Sequence, residues 1–308
     1  MITRRLAIGT ALGATAGVIL PAGLQGGPRA SGKRLIVDAQ VHMWTASTPD
    51  LPWAPGTTPQ LPEPLTIERI LPMMDEAGVD RVVVVPSANI RDDYGLEAAR
   101  RYPSRFAVMG RLRLDDPKSA ALLPTWKERP GMLGIRASFF SQEARAWITD
   151  GTVDWLWPAA EKADIPIMFL AYGLVSRFAP IAQAHPQLKL IVDHLGVSNA
   201  MAKEGKLAEG IADVVALAKY PNVSVKLSNL VNASLQPYPF QDLTDYLHRV
   251  VDAYGPQRCH WGSDLTLSYG RATWRQRVTH VTEELNFLSE SDKDWIMGRS
   301  ILARLNWA

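Results

Sequence analysis

From residue 34 onward the chain alternates between two textures, and this alternation restricts its fold more than any other feature. Short β-branched or apolar runs bounded by turn residues predict strands over 35–43, 81–87, 106–113, 133–140, 165–172, 188–194, 223–229 and 259–264. Amphipathic stretches of helical period lie between them, near 66–77, 92–102, 117–127, 152–164, 176–185, 206–219, 240–254 and 274–288, and 291–304 predicts a closing helix. Local signals mark the boundaries. Thr66 opens the first helix and Gly78 closes it, and Asp116-Pro117 supplies a cap followed by proline at the first helical position. Strands that alternate with helices must pair in parallel through right-handed crossovers. Eight such units predict a single-domain α/β fold, a (β/α)8 barrel of the TIM type over residues 35–308. The competing open, doubly wound sheet would carry a Gly-rich nucleotide turn after its first strand, and none is present.

Composition sets outer limits. With 308 residues, 47% hydrophobic and 21% charged, the chain can bury one sizeable core. A single cysteine, Cys259, excludes an intramolecular disulfide and reads as buried packing at the start of strand eight. The first 30 residues do not read as part of the fold. Arg4-Arg5 precedes an uncharged run from Ala7 to Leu24, which predicts a twin-arginine export signal and a periplasmic location, with no stable membrane insertion after export. A short membrane anchor or an unstructured tail is the alternative. Removal of residues 1–30 takes away three arginines and no acid, moving the formal charge from 33 − 31 = +2 to 30 − 31 = −1. A near-neutral chain without basic tracts gives no reason to expect a nucleic-acid partner. Homo-oligomerisation is left open.

Catalytic groups in such a barrel sit at or just past the C-terminal ends of the strands. Strand one ends Asp38-Ala39-Gln40-Val41-His42-Met43-Trp44, and alternation places Gln40, His42 and Trp44 on one face. Strand two ends Pro86-Ser87-Ala88-Asn89. Strand three carries Arg111 and Arg113 on one face, and strand four Arg136 and Ser138. Strand five runs out at Tyr172, and strand six ends Val192-Asp193-His194-Leu195-Gly196. Strand seven holds Lys226 and Ser228, and strand eight ends Trp261-Gly262-Ser263-Asp264. His194 taken alone could be a satisfied core histidine and Asp264 a helix cap. Their placement with His42 at three strand ends predicts one shared catalytic site. Asp193 is expected to point the other way and serve structure. Arg136 and Arg111 either grip a substrate anion or form internal salt bridges, for example with Asp38. His185, His248, His260 and His280 are expected to be structural or exposed. Residues 45–64 hold seven prolines and glycines and form a loop at the barrel mouth, where Trp53 either covers a ligand or packs on the rim.

Three of these strand ends carry a family resemblance. Asp-x-Gln-x-His after strand one, Asp-His-Leu-Gly after strand six and Gly-Ser-Asp after strand eight resemble the amidohydrolase-related family, and the resemblance runs to the closing segment Gly298-Arg299-Ser300 … Ala303-Arg304-Leu305-Asn306-Trp307. In metal-bearing members it implies two histidines on strand one, one after strand five, one after strand six and the strand-eight aspartate. Here Gln40 stands at the first position, and Leu170-Ala171-Tyr172 offers no histidine. His42, His194 and Asp264 remain as ligands for a divalent ion, zinc above others, and action without metal stays open beside it. Gln-x-His together with the strand-five tyrosine resembles the lactone-processing branch, which includes pyrone-dicarboxylate and muconolactone hydrolases. That implies a small anionic lactone as substrate. In this reading Asp264 is the base toward water, and His194 and His42 polarise the carbonyl. Arg136 grips a carboxylate, Tyr172, Ser138 and Gln40 add hydrogen bonds, and Arg111 and Lys226 are further anion contacts. The alternatives are a metal-dependent decarboxylase or hydratase, a lactone isomerase, and a non-catalytic barrel that binds a small acid.

Overall fold

The computed structural model describes residues 33–49, 52–53, 60–61, 63–86 and 92–308, and the compact unit runs from Arg34 to Ala308. The segment 1–30, expected to be an export signal, and the end of strand two at 87–89 lie outside the described residues. Eight parallel strands follow one another in sequence order around a barrel: β1 Val37–Val41, β2 Arg81–Val84, β3 Phe106–Gly110, β4 Met132–Ser138, β5 Ile167–Leu170, β6 Leu190–Val192, β7 Val223–Ser228 and β8 Cys259–Gly262. The barrel expected from the alternation is therefore present. Its strands are shorter than the apolar runs that encode them, because the last residues of several runs leave the ladder and turn into the barrel mouth.

Helices form where the caps and the periodicity expect them. Ile67–Ala77 buries Ile67, Ile70, Met74 and Ala77 on one stripe, starts where Thr66 accepts from the Arg69 amide at 3.3 Å, and ends at Gly78 with φ 79°. The expected helix 117–127 is instead a 3-10 helix, Pro117–Glu128; Pro124 inside it has no N–H to give to an α-helical ladder. The two C-terminal helices also depart from expectation, each interrupted by a π-helical turn, at His280–Glu284 and Trp295–Arg299. At the second turn Gly298 presses against the start of β1, where an added Cβ would lie 2.7 Å from the Leu35 carbonyl oxygen. Among the described residues no helix is long and apolar enough to cross a membrane.

The core has two layers. Most buried side chains pack between the strands and the outer helices. A smaller cluster fills the lower barrel interior, where Val37, Ala39, Val83, Val85, Met109, Met168 and Ile191 meet Ile301 and Leu305 of the closing helix Ser300–Leu305. Arg304 of that helix donates to the carbonyls of Leu190 and Asn222 at the strand starts. With this end plugged, polar chemistry is left to the opposite end, at the strand C-termini.

The seam between β8 and β1 depends on a side chain. Asp264 N donates to Gln40 O at 3.0 Å. Beside it the buried Asp38 carboxylate accepts from Gln40 N at 3.0 Å, Ser263 N at 2.8 Å and Trp274 Nε1 at 2.9 Å. Burial pushes the Asp38 carboxyl up to about 6 against the pull of these donors. Asp38 therefore serves the seam and is not the internal partner of an arginine.

Candidate active site

The residues expected from three strand ends meet in one buried cluster. Asp264 is 1% exposed, His194 4% and His42 6%. Asp264 Oδ1 lies 3.2 Å from His42 Nε2, and Oδ2 lies 3.9 Å from His194 Nε2. Burial opposes the charge on Asp264, but His194, His42 and Lys226 outweigh it and hold the carboxyl well below the usual carboxylate range. The group is thus ionised as well as buried. No aligned hydrogen bond reaches Oδ1.

The two histidines are oriented differently. His42 Nδ1 is 2.5 Å from the Val85 carbonyl oxygen, which can only accept, so Nδ1 carries a proton and donates to it. His194 Nδ1 is 2.8 Å from Ser228 Oγ, and burial lowers its pKa to about 4, which makes it a neutral imidazole at pH 7.

Below this cluster runs a chain of internal charges. Lys226, wholly buried, pairs with Asp193 Oδ1 at 2.7 Å and contacts Gln40 Oε1 and Met168 Sδ. Arg136 Nε reaches Asp193 Oδ2 at 3.1 Å. The Lys226 contact takes the Gln40 oxygen and turns the amide nitrogen toward His42 Nε2, at 3.3 Å. Burial raises the cost of the Asp193 charge, yet Lys226 and Arg136 together keep that carboxyl below its ordinary value.

Asp193 therefore points into the barrel, contrary to expectation. Strand alternation stops at Val192, and His194 (φ 55°, ψ 41°) and Leu195 (φ 54°, ψ 16°) adopt the left-handed conformation, so neighbouring residues both face the interior. Gly196, also at positive φ, completes the turn, and the Asp-His-Leu-Gly run held that signal. Arg136 forms an internal salt bridge, but with Asp193 and not with Asp38. Arg113 pairs with Asp115 on the surface, because β3 ends at Gly110 and both arginines lie beyond it. Arg111 is half-buried just past that strand.

The remaining candidates fall around the rim. Ser138 ends β4 beside Leu170 and is half-buried. Tyr172 lies just past β5, its ring 6.2 Å from that of His194 and edge-on to the exposed Phe140. Burial, and then the Asp264 charge, push its hydroxyl well above its ordinary value. Trp53 packs on the core and donates from Nε1 to Thr45 O at 2.9 Å, the rim-packing alternative. Cys259 is fully buried, and the other histidines are structural or exposed as expected: His185 meets Glu161, His260 meets Ser300, His280 lies edge-on to Phe240 and His248 is on the surface.

Two residues without an expected role complete the site. Ser228 orients His194, and Asn229, the next residue, is 2% exposed at φ 58° and ψ 23°. Asp264 (φ 47°, ψ 45°) follows the same pattern, so β6, β7 and β8 are all followed by a polar residue in the left-handed region. An asparagine directly after a strand, a residue type that enters the left-handed region readily, was the available signal. Arg277 clamps the loop behind Asp264, donating to the carbonyls of Ser263 at 3.1 Å and Ser268 at 2.7 Å.

For a metal ion the donor set is short. His42 and His194 address different oxygens of Asp264, and the Gln40 oxygen is taken by Lys226. Among the described residues no three His, Cys, Asp or Glu side chains are arranged as a metal-binding group.

Comparison with known proteins agrees with the fold and the strand-end motifs. A family model described as amidohydrolase matches residues 37–300. The L-fucono-1,5-lactonase of Burkholderia ambifaria is 27% identical, with 75% of this chain and 80% of the relative covered. The L-fucono-1,5-lactonase of Burkholderia multivorans is 26% identical, with 75% and 81% covered. A crystal structure of an amidohydrolase from Burkholderia multivorans with bound zinc shares the fold at a TM-score of 0.76 and 22% identity, covering 89% of this chain and all of that one.

Proposed function

The chain belongs to the amidohydrolase family, and on that premise we propose that it hydrolyses the ring ester of an organic-acid lactone at the Asp264 cluster. One observation carries the reading. Asp264 is ionised and buried, and His42 Nε2, 3.2 Å from its Oδ1, makes no aligned hydrogen bond to it. A buried carboxylate oxygen without a donor is a costly arrangement unless something fills the place. A water molecule supplies the missing donor and is the nucleophile that lactone opening requires. The two L-fucono-1,5-lactonase relatives support this reaction class.

The proposed steps use this arrangement. Water on Oδ1 attacks the lactone carbonyl carbon while Asp264 takes its proton. With the Ser228 hydroxyl as donor to His194 Nδ1, the proton of the neutral ring is on Nε2. That Nε2–H donates to the developing oxyanion. The carbon–oxygen bond of the ring then breaks, and the ring oxygen takes the proton from Asp264 as it leaves. The product is an open-chain hydroxy acid, and the carboxylate is regenerated.

A divalent ion is the other group that would satisfy Oδ1, and a solved relative carries zinc. The donor arrangement here does not fit a metal-binding group, so no step is assigned to one. The dicarboxylate substrate has less support than a hydroxylated sugar-acid lactone, because Arg136 and Lys226 are committed to Asp193. The Arg4-Arg5 segment is the support for export of the enzyme before it acts.

The test is NMR of the products from aldono-1,5-lactones, against the spontaneous rate, with wild type and Asp264→Asn. An open-chain acid formed by wild type and not by the variant is expected. A rearranged ring would establish isomerisation instead, and equal rates for the two proteins would remove Asp264 from the chemistry.

A further inference from the structure

Asn229 takes no part in the hydrolysis steps above, yet it has the features of a ligand contact. It follows Ser228, which touches His194, and it is the first residue after β7, left-handed like His194 and Asp264, the second residues after β6 and β8. Its side chain lies beside Tyr172, whose ring is 6.2 Å from that of His194. Its Oδ1 is buried with no hydrogen-bond partner. Asparagine enters the left-handed region at little cost, so its backbone conformation needs no compensation. The buried acceptor does, because leaving it unpaired is unfavourable.

What such an atom lacks is a hydrogen-bond donor. A carboxylate on a substrate offers none, and an unsubstituted ring offers none. A ring hydroxyl does. We propose that Asn229 is a specificity-determining residue whose Oδ1 accepts a hydrogen bond from a hydroxyl of the substrate ring, selecting polyhydroxylated lactones over carboxylated or deoxy ones. This rests on the lactone reading for the identity of the ring, but not on turnover for its test.

The test uses two hydrolysis-resistant rings, a polyhydroxylated six-membered lactam and δ-valerolactam, titrated calorimetrically into the full chain. Wild type is expected to bind the hydroxylated lactam more tightly. Asn229→Gly keeps the left-handed backbone and removes the amide. It is expected to lose ~10–100-fold in affinity for the hydroxylated lactam and less than ~3-fold for valerolactam, the scale of one lost buried hydrogen bond. Asn229→Asp keeps an acceptor oxygen in place, and its preference for the hydroxylated ring is expected to survive. Equal losses for both lactams, no loss, or a wild type that binds the two alike or binds neither would overturn the assignment. Selective binding without turnover of any lactone would instead overturn the hydrolase reading and leave Asn229 in place. Turnover with no selective effect at Asn229 would do the reverse.

Discussion

Asp264 is at once buried and charged, and its neighbours explain why. Burial alone would neutralise a carboxyl, but two imidazoles and the Lys226 ammonium reverse the balance. Asp264→Asn keeps the size and tolerates the left-handed backbone. It is expected to fold normally and to lose ~10²–10⁴-fold in kcat, the usual share of a general base, in a lactone hydrolysis assay. The pH profile is a second check at this scale. Asp264 is ionised far below neutrality, and His194 is neutral until pH falls to about 4. The account therefore predicts a level kcat/KM from pH 8 down to about 5.5. An acid limb near the ordinary histidine value of about 6.5 would show that His194 is not held neutral by burial.

At the scale of elements, two short segments set the site geometry. The Asp193–Gly196 turn aims Asp193 and His194 into one interior. Gly196 sits at φ 64°, and an added Cβ would lie 2.9 Å from Val214 Cγ2 and nearer still to Val175 Cγ2. Gly196→Ala is expected to cost about 2 kcal/mol or more in urea unfolding, through strain at positive φ and overpacking. The β8–β1 seam is the second segment. Asp38→Ala leaves three buried N–H donors without an acceptor and is expected to cost about 3 kcal/mol or more. These elements also show what a sequence can and cannot reveal. The eight strands were legible because each apolar run repeats a period. His42, His194 and Asp264 were legible because a barrel concentrates chemistry at strand ends. Asp193 was misplaced because alternation was carried past Val192, into a turn where it no longer applies. The seam role of Asp38 was hidden because its three donors come from β1, the end of β8 and a distant tryptophan. Lys226 and Gln40, 186 positions apart in sequence, meet only once the barrel has closed.

The whole molecule carries several buried groups whose protonation differs from that of the unfolded chain. His194 and His280 are held at about 4 by burial, below the unfolded value of about 6.5. As pH falls through that window the unfolded chain takes up protons that the folded chain refuses, so stability falls. Asp38 runs the other way. Its raised pKa of about 6 lets the folded chain bind a proton first, which adds stability as pH falls from about 6 toward about 3.9. Three histidines, His260 among them and held well below its ordinary value by burial, outweigh one aspartate, so a net loss of stability is expected between pH 6.5 and pH 4.5, to be read from urea midpoints. His280→Asn is expected to reduce that loss, while a stability that rises across the window would contradict the assignment of buried neutral histidines.

The central claim, that Asp264 opens a lactone ring with water and without a metal step, is tested most directly by one rate. L-fucono-1,5-lactone is mixed with chelator-treated protein, and acid release is followed against the spontaneous reaction. The account predicts hydrolysis well above the spontaneous rate, unchanged when zinc is restored. A chelated protein that is inactive and recovers fully with zinc would contradict it.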